Sequence, residues 1–443
     1  MPSTTDRILA QKPEARRRFI VDTLVAAYGD LMKSDPDAWR GKFRKMAATP
    51  FTFYRGSAAL YYADIAADDD PFLNEKTSRV WIQGDLHAEN FGTYMNGAGV
   101  LVFDVNDYDE AYVAPFTWDL KRLAASLDLI GIEKALSDDE IRQLIATVAK
   151  AYAAQVARFA QAGATYDFAL TLENTKGKLL EVLQKSRLNT RFALLEMNTV
   201  IENYDRRFAR GKNARDIDAE TRKKVDSAFN QYLETIPASK RFDRESYTVK
   251  DIVARRGLGI GSAGLPIYSI LVEGPSQALE NDIIISMKRA QPAAPSRAVQ
   301  DERISKYFLH NGHRTVLSQR ALQAYADPWL GYTTLDGIGQ FVTEVSPYSA
   351  DLEWEDINAL PDILEVLEYL GQAIAKIHCV SDSDSDHTLV PFSVDQAIND
   401  VLKGREEKFA KTLVEFGEKY GQVVRNDYAL FVDAFRNHRF PGL

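Results

Sequence analysis

Apolar residues recur along this chain with two different periods, and the change of period divides it. Over the first fifty residues the spacing is helical, with Phe19, Ile20, Leu24, Val25 and Leu31 following the run Arg16-Arg17-Arg18. The three arginines are expected on a solvated face. From Val80 the pattern shortens: Val80-Trp81-Ile82 and Val100-Leu101-Val102-Phe103 flank a polar loop, and a hairpin turning at Asn96-Gly97 is the natural reading. The helical period returns over 117–132, where Leu120, Leu123, Ala124, Leu127 and Ile130 form one stripe. Ser137 and Glu140 then make a capping box that opens another long helix. Residues 166–245 are helix-rich, polar and charged. A second β-rich stretch predicts strands over 267–272, 283–288 and 340–345, with a helix over 314–326. Ile363, Leu367, Leu370, Ile374 and Ile377 mark a last long amphipathic helix ending at His378.

Composition narrows the class. At 443 residues, with 45% hydrophobic and 26% charged positions, the chain has core enough for two or three lobes. The predicted division is 1–50, 51–245, 246–350 and 351–443. A net charge of −9 argues against a nucleic-acid partner, though a local basic cleft can still hold phosphates. The single cysteine, Cys379, excludes an internal disulfide framework and a cysteine-based zinc site. No apolar run approaches the length of a membrane span and the N-terminus lacks a secretory apolar core, so a cytoplasmic protein without a membrane partner is expected.

The chemistry concentrates between Gln83 and Glu110, QGDLHAENFGTYMNGAGVLVFDVNDYDE. Acids gathered in one patch repel unless a cation joins them, and oxygen-only donors of this kind suit Mg²⁺. Asp85 and Asn90 stand at the D-x-x-x-x-N interval of a phosphotransferase catalytic loop, in which the Asp accepts a hydroxyl proton and the Asn holds a metal. Asp104, at the end of an apolar run, is expected as the second metal ligand, with Asp107 in reserve. Asp119 opens the 117–132 helix, where the dipole favours a carboxylate and where it can also accept loop backbone N–H groups. Arg55 is expected either to steer phosphate or to form a structural ion pair.

The second informative stretch runs from Asp251 to Ala290. Gly259-Ile260-Gly261-Ser262-Ala263-Gly264 is G-x-G-x-x-G, which by itself fits several folds. A dinucleotide fingerprint requires a helix next, and a Walker loop requires Lys-Ser or Lys-Thr; here Leu265-Pro266 and a strand follow. Strand, glycine loop, strand is the arrangement that covers nucleotide phosphates in kinases. Ile285-Ser286-Met287-Lys288 then resembles the strand whose Lys reaches the α and β phosphates. Glu302 and Gln319 are the candidates for its partner, and Ser346-Pro347-Tyr348 for an adenine-contacting hinge. Asp382, Asp384 and Asp386 mimic a calcium loop, but its Gly and Glu positions hold His387 and Ser393, so a solvated acidic loop is expected.

Gly84-Asp85-Leu86-His87-Ala88-Glu89-Asn90 resembles the catalytic loop of aminoglycoside and choline kinase-like phosphotransferases. Over most of its length the chain resembles the bacterial family called domain of unknown function 2252, through Phe53-Tyr54-Arg55-Gly56, the Gly84–Gly92 loop, Phe103–Glu110, Trp118–Leu123 and Gly259–Ser262. That family name brings no activity with it. The kinase-like motifs imply an α+β bilobal protein kinase-like fold with a small β-rich lobe and a large helical lobe. It is circularly permuted, because the glycine loop and lysine follow the catalytic loop. The implied function is a phosphotransferase using ATP and Mg²⁺ on a small-molecule or protein acceptor: Asp85 as base, Asn90, Asp104 and Asp107 on the metal, and Gly259, Gly261, Ser262, Gly264 and Lys288 on the nucleotide. Transfer of AMP on the same parts, a nucleotide-sensing pseudokinase and a metal-dependent hydrolase are the alternatives. The hydrolase is disfavoured because only His87 among six histidines lies in the cluster.

Overall fold

The 117–132 stripe proves to be only part of the burial. In the computed structural model, which describes residues 3–162, 167–256, 266–381 and 389–443, the helix Thr117–Glu133 is buried on every side from Thr117 to Gly131. A helix covered all round is a central element rather than a surface one. Asp138–Ala162, Leu360–Cys379 and Glu406–Arg436 pack with it in one continuous core, together with the N-terminal helices Pro13–Ser34 and Pro36–Met46. Small residues set the close approaches. A Cβ on Gly417 would lie 2.9 Å from the Ala124 carbonyl oxygen, and one on Gly421 1.9 Å from Asp128 Oδ2, so two glycines one turn apart let the C-terminal helix lie against the central one. The predicted capping box is present: Glu140 N donates to Ser137 Oγ at 3.3 Å and Ser137 N to Glu140 Oε2 at 2.7 Å.

The expected solvated arginine run divides. Arg18 is exposed, but Arg16 is buried and bonds both Asp64 (2.7 and 2.6 Å) and Asp427 (2.9 and 2.5 Å). Its planar fork meets two carboxylates from distant parts of the chain, a pattern local periodicity does not reveal.

The remainder is a mixed α+β structure with several small sheets. The predicted hairpin is paired differently. Val80–Ile82 lies antiparallel to Tyr112–Ala114, and Leu101–Val105 pairs instead with Phe91–Met95. Phe91–Met95 reads as loop in the sequence because Gly92 interrupts it. Its turn is built by the Asn96 side chain, which accepts from Ala98 N and Val100 N, while the left-handed residue is Gly99 rather than Gly97. The β-rich stretch forms one five-stranded antiparallel sheet in the order Gly331–Leu335, Ile338–Glu344, Ile283–Arg289, Pro266–Val272, Val249–Arg256. The expected strands are found within two residues of their predicted ends. The helix expected over 314–326 runs Asn311–Leu322, ending just before Ala324, whose φ is +53°. Alternation along Ile283–Arg289 assigns the faces. Ile283, Ile285 and Met287 pack with Phe229 and Tyr232 of the helix Ala219–Leu233, while Ile284 packs on the opposite face with Leu195 and Phe208. No helix among the described residues is long and apolar enough to cross a membrane.

Replacing Arg16 by Met would leave two buried carboxylates without a counter-charge. A loss of about 3–5 kcal/mol is expected at pH 8, the range for breaking a buried pair. Burial already raises Asp427 to about 6. Protonation removes the uncompensated charge, so the loss should shrink as the pH falls toward 5. Urea denaturation at both pH values measures it, and equal losses would contradict this account.

Candidate functional site

The site begins with a tight backbone turn. Gly84 has φ +85°, and a Cβ there would lie 2.0 Å from the Glu110 carbonyl oxygen, so only glycine fits. Both carboxylate oxygens of Asp119 hold this turn, accepting Gln83 N at 2.6 Å and Gly84 N at 2.9 Å. Of the two readings open in the sequence, the buttress is thus observed. Asp119 is itself steadied by His378 Nε2 at 3.3 Å, and the other ring nitrogen of His378 meets Tyr152 Oη at 3.0 Å. One turn further along the helix, Arg122 Nε donates to Asp85 Oδ1 at 2.7 Å and its Nη2 pairs with the same oxygen. Ser126 accepts Ala88 N at 3.1 Å. One face of one helix therefore positions the loop from Gln83 to Ala88.

This leaves Asp85 with one occupied oxygen, since no described group hydrogen-bonds to Oδ2. Burial pushes its carboxyl up to about 7, opposed by Arg122 and reinforced by Glu110 and Asp107. His87 is held neutral by burial and packs edge-on against Phe51, so it serves the core. Asn90 donates through Nδ2 to the Asp85 carbonyl at 2.9 Å, leaving Oδ1 without a donor among the described residues.

A cleft of about 520 Å³ brings Asp85, Asn90 and Asp107 together with Lys288. Asp107 is exposed to it, sits at φ +56°, and makes no side-chain hydrogen bond among the described residues. Asn90 and Asp107 thus offer two hard oxygens, a donor set that fits Mg²⁺ completing its shell with water and phosphate. No three His, Cys, Asp or Glu side chains among the described residues are placed to hold a metal by themselves.

Asp104 does not join this group. It is buried, ion-paired with Lys376, bonded by Tyr94 Oη at 3.1 Å, and lines a separate cavity. Gly259, Gly261, Ser262 and Gly264 lie outside the described residues, as do Asp382, Asp384 and Asp386. Pro266 and Ile267, which follow the glycines, line the cleft. The strands on either side of the glycines pair directly with each other, as the strand-loop-strand reading requires. Neither proposed partner reaches Lys288: Glu302 pairs with Lys306, and Gln319 bonds Gln323 at 2.9 Å. Asp109 lines the same cleft as Lys288, and partial withdrawal from water there together with Asp107 pushes its carboxyl above the ordinary carboxylate range, opposed by Lys288. The segment Ser346-Pro347-Tyr348 is not among the cleft lining; the Tyr348 carbonyl accepts Thr93 Oγ1 at 2.8 Å. Arg55 pairs with Glu89, which is the ion-pair reading, and it also lines the cleft.

Residues whose roles sequence reasoning missed are Arg122, Asp109, Glu110 and Lys42, all at or beside the cleft. Glu110 accepts the Ala294 backbone N–H and so ties this loop to the segment after the sheet. The spacing Asp119, Arg122, Ser126 on one helix face was the available signal for Arg122.

A mixed α+β chain with a polar cleft between a five-stranded sheet and a helical body defines the architecture. The chain belongs to the bacterial family DUF2252, described as an uncharacterized protein conserved in bacteria, whose model matches residues 34–434. Comparison with curated proteins and with solved structures gives no match.

Asp119→Asn presents one NH₂ where an oxygen accepted a backbone N–H, leaving a buried donor unsatisfied at a cost of about 1–3 kcal/mol. Hydrogen exchange should rise at the Gln83 and Gly84 amides more than at the ends of the sheet. Uniform acceleration across the chain would contradict a local buttress.

Proposed function

We propose that this cleft transfers the γ-phosphoryl group of ATP, with Mg²⁺, to a hydroxyl of a small molecule or a protein. The fold that would carry it is a circularly permuted, bilobal, protein kinase-like one. The observation that supports this reading most is the convergence of Asp85, Asn90, Asp107 and Lys288 on one cleft, from opposite halves of the chain. Asp85 Oδ2 takes the proton of the acceptor hydroxyl, whose oxygen bonds to the γ-phosphorus as the bond to the β-phosphate oxygen breaks and ADP leaves. Arg122 fixes the orientation of that base without occupying its free oxygen. Asn90 Oδ1 and Asp107 hold the metal, which when bound neutralises phosphate charge. Lys288 neutralises phosphate from the sheet side. The rate enhancement of such a site comes from positioning and charge rather than covalent chemistry.

ATP with Mg²⁺ should raise Tm, a stabilisation of about 2.7 kcal/mol at a hundredfold excess over Kd. Asp107→Asn should change unliganded stability by less than about 0.5 kcal/mol, the range for exposed sites without partners, yet weaken binding of the Mg²⁺ nucleotide. Lys288→Ala should weaken it too. Scanning fluorimetry with and without Mg²⁺ checks all three, and an unchanged wild-type Tm at millimolar ATP and Mg²⁺ would remove the nucleotide from the account.

The pH profile follows from Asp85. The base must be ionised, and burial places its carboxyl at about 7. Turnover should therefore fall about tenfold per pH unit below that value and level off above it. A flat profile from pH 5.5 to 8 would show that another group takes the proton.

A further inference from the structure

The helical wall of the cleft carries a cation that no hydrogen-bond acceptor or carboxylate among the described residues pairs with. Lys42, on Pro36–Met46, is 6% exposed and lines the cleft. Its Nζ lies 4.7 Å from the ring centre of Tyr28 and 4.4 Å from that of Trp39. The ammonium has no hydrogen-bond acceptor and no ion pair among the described residues. The aromatic faces attract it, but they leave three N–H donors without an oxygen. A buried ammonium is costly unless paired. In keeping with that, burial lowers the Lys42 amine to about 8, with Glu110 and Asp85 opposing from a distance. A second cation on the same wall keeps donor capacity: Arg55 lines the cleft, and Nη1 of its guanidinium holds Glu89 while Nη2 has no hydrogen-bond acceptor among the described residues.

We propose that Lys42 and Arg55 form the acceptor subsite, and that the acceptor is a small hydroxylated anion whose carboxylate or phosphate meets these two cations while its hydroxyl faces Asp85. This rests on the phosphotransferase reading for the hydroxyl, but the anion site stands on Lys42 and Arg55 alone. The opposite wall keeps its own cation, Lys288, which stacks over Phe341 at 5.7 Å. The two walls thereby present separate positive charges, one for the nucleotide and one for the acceptor. Tyr28 and Trp39 would cover the carbon skeleton next to the anionic group, as apolar surface does in most small-molecule sites.

Isothermal titration calorimetry on the full chain tests this with glycerol 3-phosphate, D-glycerate, glycerol and ethanolamine, each with wild type, Lys42→Met and Lys288→Ala. One or both anions should bind wild type, which also identifies the anionic group, while glycerol and ethanolamine should not. Lys42→Met should weaken the anion by about tenfold or more, the loss of a charge-assisted contact, and leave ATP·Mg²⁺ affinity unchanged. Lys288→Ala should do the reverse. Scanning fluorimetry of Lys42→Met checks that the variant is folded before its affinities are compared. Lys42-dependent anion binding without any ATP binding would keep the anion site and remove the phosphotransferase reading. Anion affinity unchanged in Lys42→Met, neutral or cationic probes binding as well as the anions, or no anion binding at millimolar concentration would each overturn the proposal.

Discussion

Both oxygens of the Asp119 carboxylate accept backbone N–H groups from the turn at Gln83 and Gly84, and the organisation of the cleft follows from that pair of bonds. The turn needs a positive φ at Gly84 and a close approach to Glu110, a conformation that would open if its donors were left unsatisfied. Asp119 is rigid because its helix is buried on all sides and because His378 and Tyr152 continue the chain of contacts into the core. Arg122, on the same helix, sets the orientation of Asp85. The geometry of the candidate base is thus inherited from the best-packed element in the molecule.

The two walls of the cleft are joined by a second buried arginine. Arg314, on the helix Asn311–Leu322, donates to the carbonyls of Ala111 (2.6 Å), Asp109 (2.7 Å) and Gln291 (3.0 Å). It thereby ties the acidic loop to the segment that leaves the strand bearing Lys288. Glu110 reaches back across the same junction to Ala294. These contacts explain how residues from opposite halves of the chain share one cleft: their backbones are bonded to common partners. They also hold Asp85, Asp107, Asp109 and Glu110 near one another, which raises the Asp85 and Asp109 carboxyls and makes the cleft receptive to cations on that side.

Much of this is legible in the sequence because it is local. The helix after Thr117, the Ser137 cap and the strand over 283–288 each depend on residues within a few positions, and each is found. What escapes depends on partners far away. Asp104 ends an apolar run next to acids, as a metal ligand would, but Lys376 crosses from the Leu360–Cys379 helix to pair with it. Arg16 looks like one of three surface arginines until Asp64 and Asp427 meet it. Phe91–Met95 is hidden by Gly92, where a Cβ would strike the Ala350 carbonyl oxygen at 2.5 Å from the neighbouring strand. Lys42 carries no pattern at all; only the three-dimensional placement of Tyr28 and Trp39 distinguishes it from a solvated lysine.

The central claim is where a nucleotide sits, and an experimental structure with Mg²⁺ and a non-hydrolysable ATP analogue tests it most directly. The account predicts the analogue's phosphates between Lys288 and Asp107, with the metal on Asp107 and Asn90 Oδ1 and the terminal phosphate next to Asp85 Oδ2. Phosphates in the separate cavity beside Asp104 and Lys376, or on the outer face of the five-stranded sheet, would contradict it.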